Sequence, residues 1–337
     1  MAKVVERPAG WMPTLMGSIP SRDLLPGCGL AFALAAGVLA VGGMAGWPVM
    51  LMALLAGLAF GQAAPSLGSD AGVKLAATTV LRLGIVLLGA RISAGQIAAI
   101  GWEPFATVLA AVPVTIFVGV LLARLFGQDL DLGLLSAGAV AICGASAALA
   151  VSTVLRSRDD ATARLCGVVA VVTVLSSAAM IGYPVILDAL GFGAQETGVV
   201  LGAAIHDVGQ AVASGYSVSE ETGDTATIVK LARVMLLPAV IVVFALVLGN
   251  REGGSGVRLP GFILGFLALV AVNSIGLIPA GVAEALAQIS TFCLVAAIAG
   301  IGMRTRLAAV AKLGWKLPAL ILLDTLFLAG FVILLWL

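Results

Sequence analysis

The chain has 337 residues, of which 61% are hydrophobic and only 10% are Asp, Glu, Lys or Arg. Soluble domains usually run about 45–50% apolar and about 25% charged, and a mean hydropathy of +1.17 lies far above that regime. With 18 basic against 17 acidic residues, there is too little charge to coat a soluble core and no global field to attract polyanions. The composition excludes a soluble enzyme, a disordered tail and a nucleic-acid binder, and assigns the chain to the lipid bilayer.

Residues 1–23 carry Lys3 and Arg7 with no apolar run ahead of the first span, so they are read as a cytoplasmic segment without a cleaved signal. Residues 24–337 are read as one transmembrane domain. A spanning helix needs roughly 20 mostly apolar residues. Nine stretches qualify, about 25–46, 47–64, 73–91, 104–124, 164–188, 227–249, 259–277, 285–303 and 316–337. Two more, roughly 132–155 and 195–218, are long enough but crowded with Gly, Ala, Ser and polar residues at their centres. The expectation is an all-α polytopic membrane protein of about eleven elements, the fifth and seventh of them broken or re-entrant.

Lys and Arg in the loops set orientation. A cytoplasmic N-terminus also places Lys74, Arg124, Arg251, Arg258, Arg304, Arg306, Lys312 and Lys316 inside, with Glu220, Glu221 and Asp224 outside. Arg156, Arg158 and Arg164 fall outside if the fifth element crosses, but return inside if elements five and seven are hairpins entering from opposite faces. Fully crossing broken helices remain the alternative, and both keep the same termini.

Residues 78–122 align without a gap to 291–335, sharing Gly89/Gly302, Arg91/Arg304 and the Gly-Trp pairs Gly101-Trp102 and Gly314-Trp315. The offset is seven elements, an odd number, so the copies run in opposite directions, a pattern common among secondary transporters. A weaker echo links Ala141-Ile142 to Ala204-Ile205.

Charge inside hydrocarbon demands a reason. Arg82 lies near the middle of the third span and is expected to face a cavity, a carboxylate or an anion; Asp324 lies a third of the way along the last. His206, the single histidine, is followed by Asp207, Gly209 and Gln210; His206 and Gln210 share a helix face, and a histidine that titrates near neutrality suits a coupling proton. Cys143, Gly144 and Ser146 form the counterpart break, where small residues expose backbone donors at a half-helix N-terminus suited to an anion. Ordinary helix packing accounts for the same small residues. The four cysteines lack metal-ligand spacing, and one His beside one Asp makes no metal site. No metal and no cofactor is expected.

Three runs together resemble the YeiH-type sulfate exporter family: Val80–Arg91, Ala141–Ala147 and His206–Ala211. Lys230–Pro238 is similar to it as well. The resemblance covers nearly the whole chain after about residue 24. It implies a multi-pass bacterial inner-membrane protein grouped with bile-acid, arsenite and auxin-type carriers, whose broken helices cross at the substrate site. It also implies that Lys230 and Arg233 belong to a motif; the hydropathy reading sets them at the outer start of the eighth span.

The expected function is a secondary transporter, not an enzyme, exporting sulfate or a related sulfur oxyanion by alternating access. Arg82, Cys143, Gly144, Ser146, Gly209 and Gln210 would bind the anion, and His206, Asp207 and Asp324 would handle a coupling proton or sodium ion. The expected partners are the bilayer, the anion and the coupling ion, with a homo-oligomer left open. The alternatives are a cation/proton antiporter using Asp207 and Asp324, and an intramembrane enzyme with His206 and Asp207 activating Ser146 or Cys143.

Overall fold

The computed structural model describes residues 21–45, 49–63, 70–155, 160–248, 261–305 and 314–337. The expectations for the N-terminal segment, and for the loop charges at positions 156, 158, 251, 258, 306 and 312, lie outside these residues. The described residues are helical, with no strand among them.

Helices α1 (Ser21–Ala45), α2 (Val49–Ala63), α3 (Asp70–Leu75) and α4 (Leu81–Leu88) open the chain, with α3 and α4 joined by a π turn, Ala76–Val80. Much later come α14 (Gly261–Ser274) and α15 (Ala280–Arg304). These helices form one bundle around α15, which packs on α1, α2 and α4. Small residues permit the close approach. A Cβ on Gly57 would sit 2.2 Å from the Ala299 carbonyl oxygen, and one on Gly302 would sit 2.5 Å from that of Leu54. Without water to drive association, such close van der Waals packing is what holds helices together in lipid.

After the short α5 (Ala94–Ile100), the second bundle begins with α6 (Glu103–Leu125), α7 (Leu130–Ala141), α8 (Ala145–Ser152) and α9 (Ala161–Ala189). It continues through α10 (Ala194–Ala204), α11 (Val208–Val218), α12 (Glu220–Met235) and α13 (Leu237–Val247), and closes with α16 (Lys316–Trp336). The main seam between the bundles is α11 lying against α2 and α15.

Among the described residues, seven segments are long and apolar enough to cross a membrane, Asp70–Leu88 and Glu220–Val247 among them. Helices α2, α7 and α14 are apolar but shorter. Helix length therefore supports a polytopic membrane protein and supports seven of the eleven expected elements as full spans.

Elements five and seven are re-entrant hairpins, which corrects the crossing arrangement implied by family resemblance. Helix α7 starts at Asp129, whose carboxylate accepts from Arg164 Nη1 at 2.7 Å near the start of α9. A Cβ on Gly138 of α7 would lie 3.1 Å from Val151 Cγ2 of α8, although 13 residues separate them, so α8 folds back along α7. The second hairpin behaves likewise from the opposite end of α9. Thr222 Oγ1 donates to the Ala194 carbonyl at the start of α10 at 3.0 Å, and Gly215, near the end of α11, abuts Gly223. Both arms thus end beside the start of α12.

The first hairpin opens toward the side where α1 begins, here the near side, and the second toward the far side. The chain follows each with a helix running to the opposite side, α9 and then α12–α13. Equivalent glycines of the aligned segments also share a conformation: Gly101 (φ 84°) and Gly314 (φ 69°) both occupy the left-handed region, each one residue before a Trp that caps the next helix. That backbone requirement explains why Gly-Trp stands out in an apolar chain.

Candidate functional site

The two hairpin tips meet inside the second bundle. The first turns through Ile142, Cys143 and Gly144. Gly144 has φ 61° and ψ −124°, a combination a Cβ opposes, which lets the chain reverse within three residues. A Cβ on it would touch Val172 at 3.1 Å and His206 Cβ at 3.6 Å. The second tip turns through extended backbone at Ile205 and Asp207, and the Asp207 carboxylate caps α11 by accepting from the Gln210 amide at 3.2 Å.

Each tip leaves the carbonyls of an arriving helix without intrahelical donors, a condition tolerated at membrane depth only when the protein supplies partners. Lys230 and Arg233 of α12 supply them. Lys230 Nζ donates to the Ile142 carbonyl at 3.0 Å and to the Ile205 carbonyl at 2.5 Å. Arg233 Nε donates to Ala141 O at 2.6 Å, Nη1 to Ile205 O at 3.1 Å, and Nη2 to Val140 O. Both side chains are completely buried, at 0% and 1% exposure. Two helix C-termini, each carrying roughly half a negative charge, thereby face two tethered cations. The outer-face position expected for these residues is corrected: they sit at the centre, because α12 begins two turns further out and its acidic start, not Lys230, reaches the far side.

His206 is buried and its Nε2 lies 3.0 Å from Thr325 Oγ1. The Thr325 hydroxyl donates its proton to Ile321 O at 2.7 Å, so Nε2 must carry the hydrogen and donate. Nδ1 is left as a bare acceptor with no partner. Gln210 is also fully buried; its Nε2 donates to Ser177 Oγ at 2.7 Å, while its Oε1 has no partner. Ser176 Oγ accepts from the Asp207 amide at 3.0 Å, fixing the tip to α9.

Asp324 is 1% exposed, and one of its oxygens has no hydrogen bond. It presses on Gly119 of α6, where a Cβ would come within 2.5 Å of Oδ2. It sits next to Thr325 and within electrostatic reach of Arg233.

The expected residues therefore divide. Cys143, Gly144, His206, Asp207, Gly209 and Gln210 gather at the tips, and Asp324 stands behind them on α16. Arg82 does not join them. It is exposed on α4 and makes no ion pair to a described residue, yet its neighbour Leu81 abuts Gly209 (2.9 Å from a Cβ there), so it lies at the depth of the second tip. Ser146 is exposed on α8 and donates no hydrogen bond to the tips. Asp207 is half-buried, whereas His206 and Gln210 on either side of it are fully buried.

On the far side the seam is closed by charge. Arg91, just past α4, hydrogen-bonds Glu220, approaches Asp224 Oδ2 at 3.5 Å and lies 6.0 Å from the Tyr216 ring centre. Tyr216 in turn donates to Asp224. The Glu220 hydrogen bond pushes the Arg91 guanidinium above its ordinary value, so it stays charged. No contact of similar extent joins the bundles on the near side among the described residues.

The four cysteines are free. Among the described residues, no group of three or more His, Cys, Asp or Glu could hold a metal ion.

Apolar helices of spanning length, opposed re-entrant hairpins and buried tethered cations define a membrane-embedded helical protein of transporter-like build. The chain belongs to the family described as Conserved hypothetical protein 698, which matches residues 28–322, and the YeiH-type resemblance agrees with it. It is 45% identical over 325 residues to the UPF0324 membrane protein TauZ of Paracoccus pantotrophus, covering 93% of this chain and 96% of that one. It is 45% identical over 294 residues to a UPF0324 membrane protein of Rhizobium meliloti, covering 86% and 85%. A third relative, from Chlorobaculum tepidum, is 41% identical over 298 residues, covering 86% and 82%. No solved structure matches this one.

Proposed function

We propose that this protein is a secondary transporter of a small anion, sulfate or a related sulfur oxyanion, exported across the bacterial inner membrane by alternating access, with its N-terminus in the cytoplasm. The observation that carries the reading is the pair of opposed hairpins whose tips meet beside a two-bundle seam. Hairpins entering from opposite faces give two related routes to one point, and rocking one bundle on the other exchanges which route is open.

The anion is assigned to the seam at the level of Arg82 and the second tip. Arg82 is exposed at that depth and makes no ion pair to a described residue, and such a guanidinium needs water or an anion. Helix α11 starts at Val208 at this depth, and a helix N-terminus favours negative charge, which the Asp207 carboxylate already meets at the Gln210 amide. Lys230 and Arg233 are held by the tip carbonyls and serve the fold of the tips instead. The bare Nδ1 of His206 and the half-buried Asp207 are the groups suited to a coupling proton. The Arg91 cluster latches the far side, so the arrangement described is closed there.

Everted inner-membrane vesicles carrying the protein should take up labelled sulfate or sulfite above vesicles without it, with and without an imposed pH gradient. No substrate-dependent flux for any oxyanion tried would overturn the reading.

A cation/proton antiporter is the second reading, favoured by buried Asp324 with its unpartnered oxygen. It expects Asp207→Asn to abolish sodium-dependent proton movement while Arg82→Ala leaves activity; the anion reading expects Arg82→Ala to be the more damaging. The enzyme alternative loses support because His206 hydrogen-bonds Thr325 and neither Ser146 nor Cys143.

A further inference from the structure

The carbonyls of Ile142 and Ile205 end two half-helices that arrive from opposite faces, and both point at one position. In broken membrane helices, such carbonyls are the groups that coordinate a coupling sodium ion. Here that position is taken by Lys230 Nζ, at 3.0 and 2.5 Å from the two oxygens. An ammonium is a compact point charge with three donors and no acceptor, so it satisfies a carbonyl cradle much as an alkali ion would. Its stem enters from α12, one turn from Arg233, which holds the adjoining carbonyls of Val140, Ala141 and Ile205. The cradle is fully buried at Lys230, with Asp207 and Cys143 within electrostatic reach. The two carbonyls also occupy matching places in the Ala141-Ile142 and Ala204-Ile205 echo, so one cation serves both hairpins at once.

We infer that Lys230 is a tethered cation filling an alkali-cation site built by the two hairpin tips, so the native protein binds no sodium there and the site becomes vacant to small cations when the amine is removed. A free sodium ion holding the tips together would couple their closure to the ion gradient. A lysine holding them makes closure independent of sodium and leaves the proton-bearing groups, His206 and Asp207, to carry any coupling. The inference rests on the transport reading for its meaning as coupling, but its test needs no flux.

The test is the thermal unfolding midpoint of the purified protein in detergent, read by tryptophan fluorescence in NaCl, KCl and choline chloride at equal ionic strength and fixed pH. The native protein is expected to show the same midpoint in all three. Lys230→Ala is expected to unfold several degrees lower in choline and to regain part of the loss, saturably, in NaCl or methylammonium chloride but not in tetramethylammonium chloride, which is too large for the cradle. Saturable, sodium-specific stabilisation of the native protein would overturn the inference, as would a folded Lys230→Ala indifferent to every small cation. If Lys230→Ala survives extraction only when sodium or methylammonium is present, that rescue upholds it; extraction that fails in every salt, together with a sodium-dependent native midpoint, sinks it. A protein that moves no anion yet shows this cation pattern keeps the inference and loses the transport reading.

Discussion

Replacing Arg233 with methionine removes three hydrogen bonds while leaving a side chain of similar reach. The Ile205 carbonyl keeps its bond to Lys230 at 2.5 Å, so that acceptor is not orphaned. The Val140 and Ala141 carbonyls are, and both lie in the fully buried end of α7. Each buried, unsatisfied carbonyl costs about 1–3 kcal/mol, giving roughly 2–6 kcal/mol for the pair. That range brackets the ~3–5 kcal/mol typical of breaking a buried charge arrangement. The desolvation returned by deleting the guanidinium pulls the value toward the lower half. At roughly 2 °C per kcal/mol for a chain of this length, the unfolding midpoint should fall by about 4–8 °C. Arg233→Lys keeps the charge but lacks the planar fork, reaches fewer of the three carbonyls, and should lose about half as much. The assay is thermal unfolding of purified protein by tryptophan fluorescence, checked by size-exclusion recovery after heating. A methionine variant within ~1 °C of the native midpoint would refute the claim that Arg233 holds the first hairpin tip.

Further outcomes follow from the same geometry. Gly144→Ala forces a Cβ into a φ, ψ region costing about 1–3 kcal/mol and against Val172; its midpoint should drop by a few degrees, and flux should fall with it. Thr325→Val strands the His206 Nε2–H without an acceptor and should cost about 1–3 kcal/mol, whereas Thr325→Ser should restore most of the loss in the same unfolding assay. Arg91→Gln breaks the far-side latch. With all four cysteines replaced and Asp207→Cys introduced, a membrane-impermeant thiol reagent applied to the far side should label several-fold faster once Arg91 is changed, and an unchanged rate would argue against a gate there.

Hydropathy alone made the spans visible, and the small and polar residues at 141–146 and 205–210 marked where the backbone leaves the helix. The charge of the 156–164 loop even pointed to hairpins, and the Asp129–Arg164 pair is the contact that returns the first one to its starting side. The tethered cations were harder. Lys230 and Arg233 stand near the apparent beginning of a span, where Lys and Arg ordinarily report orientation. The available signal was their three-residue spacing, which puts both on one helix face with no acid within one turn of either. Arg82 was legible as a charge at depth, but which neighbour faces it depends on how α4 packs against α14 and α15, and the eight residues of α4, apolar apart from Arg82 and Gly84, do not name that neighbour. The division into two bundles was equally hidden, because the same small-residue packing serves within each bundle and along the seam.

The most direct test is substrate counterflow by the purified protein reconstituted into sealed liposomes, loaded with unlabelled sulfate or sulfite and supplied with trace label outside. Label is expected to accumulate transiently inside, and the accumulation to be lost in Arg82→Ala. Liposomes that behave like protein-free ones with every small oxyanion tried, or an Arg82→Ala variant as active as the native protein, would contradict it.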